Sequence, residues 1–138
     1  QVFSIINGNP IGATIHLMDE HVDHGAILAQ REVSIAQGDT SFDVYEKVFI
    51  AEKDLIKENL LDIINNDLPA KSVACEGNFN SLQDFRELCH LDMGSIGSLG
   101  DHIKLLRALS HAEFKNAYFL SDEGKKIFVR VLLEESSS

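Results

Sequence analysis

The sequence predicts an α/β chain, and three patterns carry that reading. Two stretches near the start alternate apolar and polar residues at the period of a strand. A long stretch after Thr40 repeats its apolar residues at the period of a helix, and the last third closes on a glycine-containing hairpin turn. The expected architecture is two sheet strands, one long helix, two short helices and a C-terminal β-hairpin. At 138 residues, 44% hydrophobic and 25% charged with two prolines, the chain has the composition of one globular domain or part of one.

The elements follow in order. Gln1 to Ile6 reads as the end of a helix, with Asn7-Gly8 as its stop and Pro10 just beyond. No cap precedes it, so the chain is expected to begin inside an element, as a fragment does. A strand over 13–18 places Ala13, Ile15 and Leu17 on one face, and a second over 27–35 places Ile27, Ala29, Arg31, Val33 and Ile35 on one face. Between them lies an acidic loop, Asp19-Glu20-His21-Val22-Asp23-His24-Gly25.

Thr40-Ser41-Phe42-Asp43 has the form of a capping box, and it opens a helix over 41–66. Tyr45, Val48, Phe49, Ile56, Leu60, Ile63 and Ile64 are expected on its buried face, and Leu68-Pro69 is expected to stop it. Segment 70–80 reads as irregular or a short strand. Ser81 and Ser98 head two short helices, 82–91 and 99–110. Residues 117–120 and 126–133 then pair around Ser121-Asp122-Glu123-Gly124.

Charge narrows the partners. The formal net charge is −10, which argues against nucleic acid as a partner because phosphates need a basic face. Its distribution is uneven: residues 1–98 carry 6 basic and 16 acidic side chains, whereas 99–133 carry 6 and 4. A mildly basic C-terminal third suits a small anionic ligand. No apolar run approaches the ~20 residues of a membrane-spanning helix, so no membrane partner is expected. Cys75 and Cys89 are too few for a disulfide framework, and a reduced cytoplasmic chain is the expectation.

Two groups of residues could carry chemistry. In the acidic loop, Asp23 lies between His21 and His24 and two residues before Gly25. A carboxylate on a strand-ending loop beside an imidazole can orient the ring and shuttle protons, although a solvated turn has the same composition. Zinc needs three or four placed ligands and this loop supplies too few, so no metal is expected. The second group is Arg107, His111, Lys115, Asn116 and Tyr118, with Lys125, Lys126 and Arg130 on the hairpin. Arg and Lys clamp diphosphates and a tyrosine stacks on bases, while a solvated helix face with a lysine-protected strand edge is the alternative.

The stretch from Gly12-Ala13-Thr14-Ile15-His16-Leu17-Met18-Asp19 through Asp23-His24-Gly25 to Ala29-Gln30 resembles the Asp-loop region of formyltetrahydrofolate-dependent formyltransferases. Its marks are a strand ending in Met-Asp, then Asp-x-Gly, then an aliphatic strand closing in Gln; His24 stands where a small residue is usual. Asp84-Phe85-Arg86-Glu87-Leu88, Leu105-Leu106-Arg107-Ala108-Leu109-Ser110-His111 and Lys115-Asn116-Ala117-Tyr118-Phe119 are similar to the C-terminal region of nucleotide-sugar N-formyltransferases. The resemblance runs from Phe3 to about Leu133.

The resemblance implies a Rossmann-like catalytic domain of which residues 1–68 are the C-terminal part, followed by a region at 69–138 for nucleotide-sugar contact and subunit association. It implies N10-formyltetrahydrofolate as co-substrate and a dTDP-4-amino-4,6-dideoxyhexose as acceptor. Asp23 is the catalytic residue it carries over, and the family's catalytic Asn and His are expected in a missing N-terminal half. His21, Val22 and His24 are assigned to the folate, and Arg107, His111, Lys115, Asn116 and Tyr118 to the nucleotide sugar. A homodimer is expected. The alternatives are a methionyl-tRNA or other formyltransferase, or a non-catalytic piece that dimerises or grips ligand.

Overall fold

The computed structural model describes residues 1–17, 26–69 and 80–136. Among them the order is α1 (Val2–Asn7), β1 (Ile11–His16), β2 (Ile27–Val33), α2 (Ser41–Asn65), α3 (Leu82–Cys89), α4 (Leu99–Leu109), β3 (Tyr118–Leu120) and β4 (Lys126–Phe128). The mixed α/β expectation holds in kind and in sequence of elements. The residues fall into two compact units, one of 1–9, 35–45 and the residues from 80 onward, the other of 10–34 and 46–69.

The second unit is built on β1 and β2. They pair antiparallel from Ile11↔Val33 to Ile15↔Ala29, and His16 then faces Ile27, so Leu28 is an extra residue bulged from β2. The alternation puts Ala13 inward at 4% exposure, with Ile15, Ala29 and Val33 packed beside it against Ala51 and Leu55 of α2. Gly12 is required here: a methyl group on it would overlap the main-chain oxygen of Arg31. Across the pair, Arg31 Nη2 donates to Glu58 of α2, an exposed ion pair that lowers the Glu58 pKa through that hydrogen bond.

α2 begins as expected. Asp43 Oδ2 accepts from the Thr40 amide at 2.8 Å and from its hydroxyl at 2.6 Å. Its end has a different cause from the one the sequence suggests. Asn66 adopts φ 57°, and the Asn66 and Asp67 amides bond back to the carbonyls of Ile63 at 3.2 Å and Asp62 at 2.8 Å. That left-handed cap terminates the helix before Pro69 has any part in it.

The buried stripe of α2 also differs from the expected face. Val44, Val48, Ala51 and Leu55 are buried, whereas Tyr45, Phe49, Ile56, Leu60 and Ile64 are each more than 40% exposed. The stripe has slipped by about one residue because small Ala51 lies close to Ala13, and the large side chains that dominate the pattern turn outward.

The first unit gathers α1, α3, α4 and the hairpin. Ser81 and Ser98 each accept from the amide three residues on, and Asp84 and Asp101 bond back, so both helices carry complete capping boxes. Cys89, Leu109 and Ala117 form the core, with Phe85, Leu88, Leu91 and Leu105 packed round it. Ile5 and Leu109 are 1% exposed, and each side chain so buried stabilises by about 1.5–3 kcal/mol.

The hairpin turns at Gly124, φ 75°, with the Ser121 amide donating to the Lys125 carbonyl at 2.8 Å. β4 stops at Phe128 rather than at 133. The Val129 amide still reaches the Ala117 carbonyl at 2.9 Å, but the Val131 amide is taken by the Ser110 hydroxyl at 3.0 Å. A side chain of the helix end has replaced the strand partner.

Candidate functional site

The residues assigned to folate and catalysis, His21, Val22, Asp23 and His24, lie outside the described residues. What is described is their support. β1 and β2 carry the two ends of that segment, and the Leu17 amide donates to the Ala26 carbonyl at 2.9 Å immediately before it. The bulge at Leu28 sits beside this end of the pair, where bulges commonly re-aim a strand.

Arg107 stands elsewhere than the anion-clamp reading requires. It is 9% exposed, and its Nη1 donates to the main-chain carbonyls of Ala36, at 3.2 Å, and Asp39. A guanidinium committed to two carbonyls is a strut for the segment before α2, not a surface clamp. α4 ends at Leu109, where the Ser110 amide caps it by donating to the Arg107 carbonyl at 3.3 Å, so His111 lies beyond the helix that carries Arg107.

His111 is the centre of a real constellation. Ser41, 1% exposed, donates its hydroxyl proton to the Ser110 carbonyl at 2.8 Å, and His111 Nδ1 lies 3.2 Å from Ser41 Oγ. The hydroxyl has one proton and has spent it, so Nδ1 is the donor to Ser41. Phe42, Tyr45 and Phe114 box the ring, with centroids at 5.4, 5.6 and 5.7 Å.

The turn presenting His111 is braced. Ala112 has φ 44°, a left-handed conformation that costs an alanine of order 1 kcal/mol. Arg130 Nη1 donates to the Ala112 carbonyl at 2.6 Å and pairs with Glu113 at 2.8 Å. His111, Arg130, Thr40, Phe42 and Asp43 line one cleft of about 490 Å³. Sequence reasoning missed Ser41, Phe42, Tyr45 and Phe114 as its partners; Ser41 and His111 are 70 residues apart, and nothing local joins them.

The other expected contacts separate. Asn116 Nδ2 donates to the Leu109 carbonyl at 3.1 Å, leaving its oxygen uncommitted by that bond. Lys115 lies over the Phe128 ring at 5.7 Å, and Tyr118 stacks on His90 at 5.2 Å with Lys126 over its ring at 4.0 Å. Arg107, Lys115, Asn116 and Tyr118 are not among the residues lining the His111 cleft. Among the described residues no three His, Cys, Asp or Glu side chains gather as metal ligands, and no helix is long and apolar enough to cross a membrane.

Two family descriptions match this sequence: Formyl transferase over residues 4–60, and N-formyltransferase dimerization C-terminal domain over residues 84–135. The chain belongs to the formyltransferase family. It is 46% identical over 134 residues to the dTDP-4-amino-4,6-dideoxyglucose formyltransferase of Mycobacterium tuberculosis, covering 97% of this chain and 57% of that protein. The formyltransferase chain therefore spans somewhat more than half the length of the curated relatives it matches.

Solved structures agree. A 4-N formyltransferase from Francisella tularensis superposes with a TM-score of 0.93 at 44% identity, covering 98% of this chain and 56% of that one. The formyltransferase PseJ from Anoxybacillus kamchatkensis, in complex with UDP-4,6-dideoxy-4-formamido-L-AltNAc and tetrahydrofolate, gives 0.57 at 28% identity over 62% of this chain and 46% of its own.

Proposed function

We propose that the whole protein transfers a formyl group from N10-formyltetrahydrofolate to the amino group of a nucleotide-linked amino sugar of the dTDP-4-amino-4,6-dideoxyhexose class. The observation that carries this reading is the 46% identity, over 97% of the chain, to a dTDP-4-amino-4,6-dideoxyglucose formyltransferase. The folate donor is supported by family membership and by the tetrahydrofolate in the PseJ complex.

In this reaction the sugar amine attacks the formyl carbon, and a new C–N bond forms as the bond to the folate nitrogen breaks. The amine gives up a proton and the folate nitrogen takes one. Asp23 is assigned to that relay, since a carboxylate can accept a proton at one stage and return it at another. A tetrahedral oxyanion also needs fixed hydrogen-bond donors, which one carboxylate cannot supply. The 138 residues tested alone are accordingly expected not to turn over.

His21, Val22 and His24 are assigned to the folate. His111, Lys115, Asn116 and Tyr118 are assigned to the nucleotide sugar, and Arg107 is withdrawn from that set. We divide the chain at 68/69 into a catalytic part and a region for substrate contact and homodimer formation, supported by family matches at 4–60 and 84–135. The net charge of −10 favours a nucleotide sugar over a methionyl-tRNA acceptor and suits a cytoplasmic biosynthetic enzyme, such as one supplying formamido sugars for lipopolysaccharide O-antigen.

The test is a single assay on the full-length protein, with N10-formyltetrahydrofolate and either dTDP-4-amino-4,6-dideoxyglucose or methionyl-tRNA as acceptor. Mass spectrometry should show a formamido sugar and no formylated methionine. Formylation of the tRNA alone replaces this reading with the alternative.

A further inference from the structure

We propose that Ser41 is a positioning residue: it holds the His111 ring in one orientation, with Nδ1 as the protonated nitrogen, for contact with the nucleotide sugar, an inference that rests on the assignment of His111 to that ligand.

Ser41 is the first residue of α2, yet it does not cap the helix. Thr40 and Asp43 form the capping box, which leaves the Ser41 hydroxyl to bond elsewhere. That hydroxyl is buried, and a buried hydroxyl without partners is costly. Both of its partners lie on the turn after α4: it donates to the Ser110 carbonyl and accepts from His111 Nδ1. Among the described residues it is the one hydrogen-bond partner of the His111 ring.

An imidazole can exchange its nitrogens by turning over, or their roles by changing tautomer. Both are opposed here. Turning over would set Cδ2 where Nδ1 meets Ser41, and would carry the ring past Phe42, Tyr45 and Phe114. The Nε2–H tautomer would face a lone pair on Nδ1 with a hydroxyl oxygen whose proton is already given to Ser110. In the neutral ring Nε2 is then the acceptor. The turn itself has other supports: the Phe114 amide donates to the His111 carbonyl at 3.0 Å, and Arg130 to that of Ala112 at 2.6 Å. Ser41 therefore governs the ring more than the backbone.

The tautomer is read without substrate, in a long-range ¹H–¹⁵N spectrum of the full-length protein with His111 assigned by its loss in His111→Gln. At a pH about two units above the ~6.5 of a free imidazole, His111 should carry its proton on Nδ1, and in Ser41→Ala the Nε2–H form should appear. With N10-formyltetrahydrofolate and a dTDP-linked 4-amino sugar, Ser41→Ala should raise the acceptor KM about fivefold, the scale of one lost hydrogen bond, and leave kcat within about twofold. In a His111→Gln background the same substitution should change KM by less than about twofold, because the two residues act as one unit. A proton on Nε2 in the unsubstituted protein overturns the proposal even if Ser41→Ala does not fold. So does an unchanged tautomer in Ser41→Ala, or KM effects that multiply in the double variant. A full-length protein that makes no formamido sugar overturns the proposed reaction and this role with it, whatever the tautomer.

Discussion

Arg107 holds the main-chain carbonyl of Asp39, 68 positions earlier in the sequence, and with the same Nη1 reaches the Ala36 carbonyl at 3.2 Å. The loop so gripped is otherwise closed on itself, the Ala36 amide donating to Asp39 Oδ2 at 2.6 Å. Arg107 thus sets the approach of the chain to the capping box that opens α2.

Replacing it tests the strut directly. Arg107→Ala removes a charged donor and leaves two carbonyls without it, at a cost of roughly 2–4 kcal/mol. Urea unfolding should show that loss, while calorimetry with dTDP on the folded full-length variant should show unchanged affinity. A large loss of affinity with unchanged stability restores the anion clamp.

Much of the fold was legible because its signals are local. Ser81 with Asp84, Ser98 with Asp101 and Thr40 with Asp43 announce three helix starts, and each box forms. Alternation at Ala13 and Ile15 shows which strand face is inward. The buried stripe of α2 was not legible, because Ala51 carries little hydrophobic weight in a pattern yet packs in the buried cluster with Ala13 and Leu55. The same limit applies to the site. Asp23 is marked by motif, whereas the pairing of Ser41 with His111 joins residues 70 apart and leaves no trace in either neighbourhood.

The two serine caps predict a pH dependence. Hydrogen bonds from Ser98 depress the Asp101 carboxyl in the folded state, with Lys104 and His102 adding to the shift. A group with a depressed folded pKa stabilises fully above its unfolded value, near ~3.9, and stops doing so as pH falls through the folded value. Ser98→Ala should therefore lower Tm at pH 7 and have a shrinking effect as the pH is taken below about 4. A gap in Tm that widens on acidification contradicts the cap.

Gly12 gives a steric prediction. With its place for a side chain blocked by the Arg31 main chain, Gly12→Ala must push β1 and β2 apart and should cost roughly 1–3 kcal/mol. Denaturant unfolding measures it, and an unchanged midpoint refutes the close approach.

Cys89 gives a chemical one. Burial raises its thiol pKa and leaves it 8% exposed in the core with Leu109 and Ala117. In a Cys75→Ser background it should react with a disulfide reagent only on unfolding. Prompt labelling of the native protein is the contrary result.

The most direct test of the whole account is the turnover of Asp23→Asn in the full-length protein, assayed with N10-formyltetrahydrofolate and a dTDP-linked 4-amino sugar. Asparagine keeps the shape and loses the proton acceptor, so formamido-sugar formation should fall by at least about a hundredfold, the scale of a lost general base. Calorimetric affinity for the nucleotide sugar should stay within about twofold. Turnover equal to that of the unsubstituted enzyme would contradict the assignment of proton transfer to this loop.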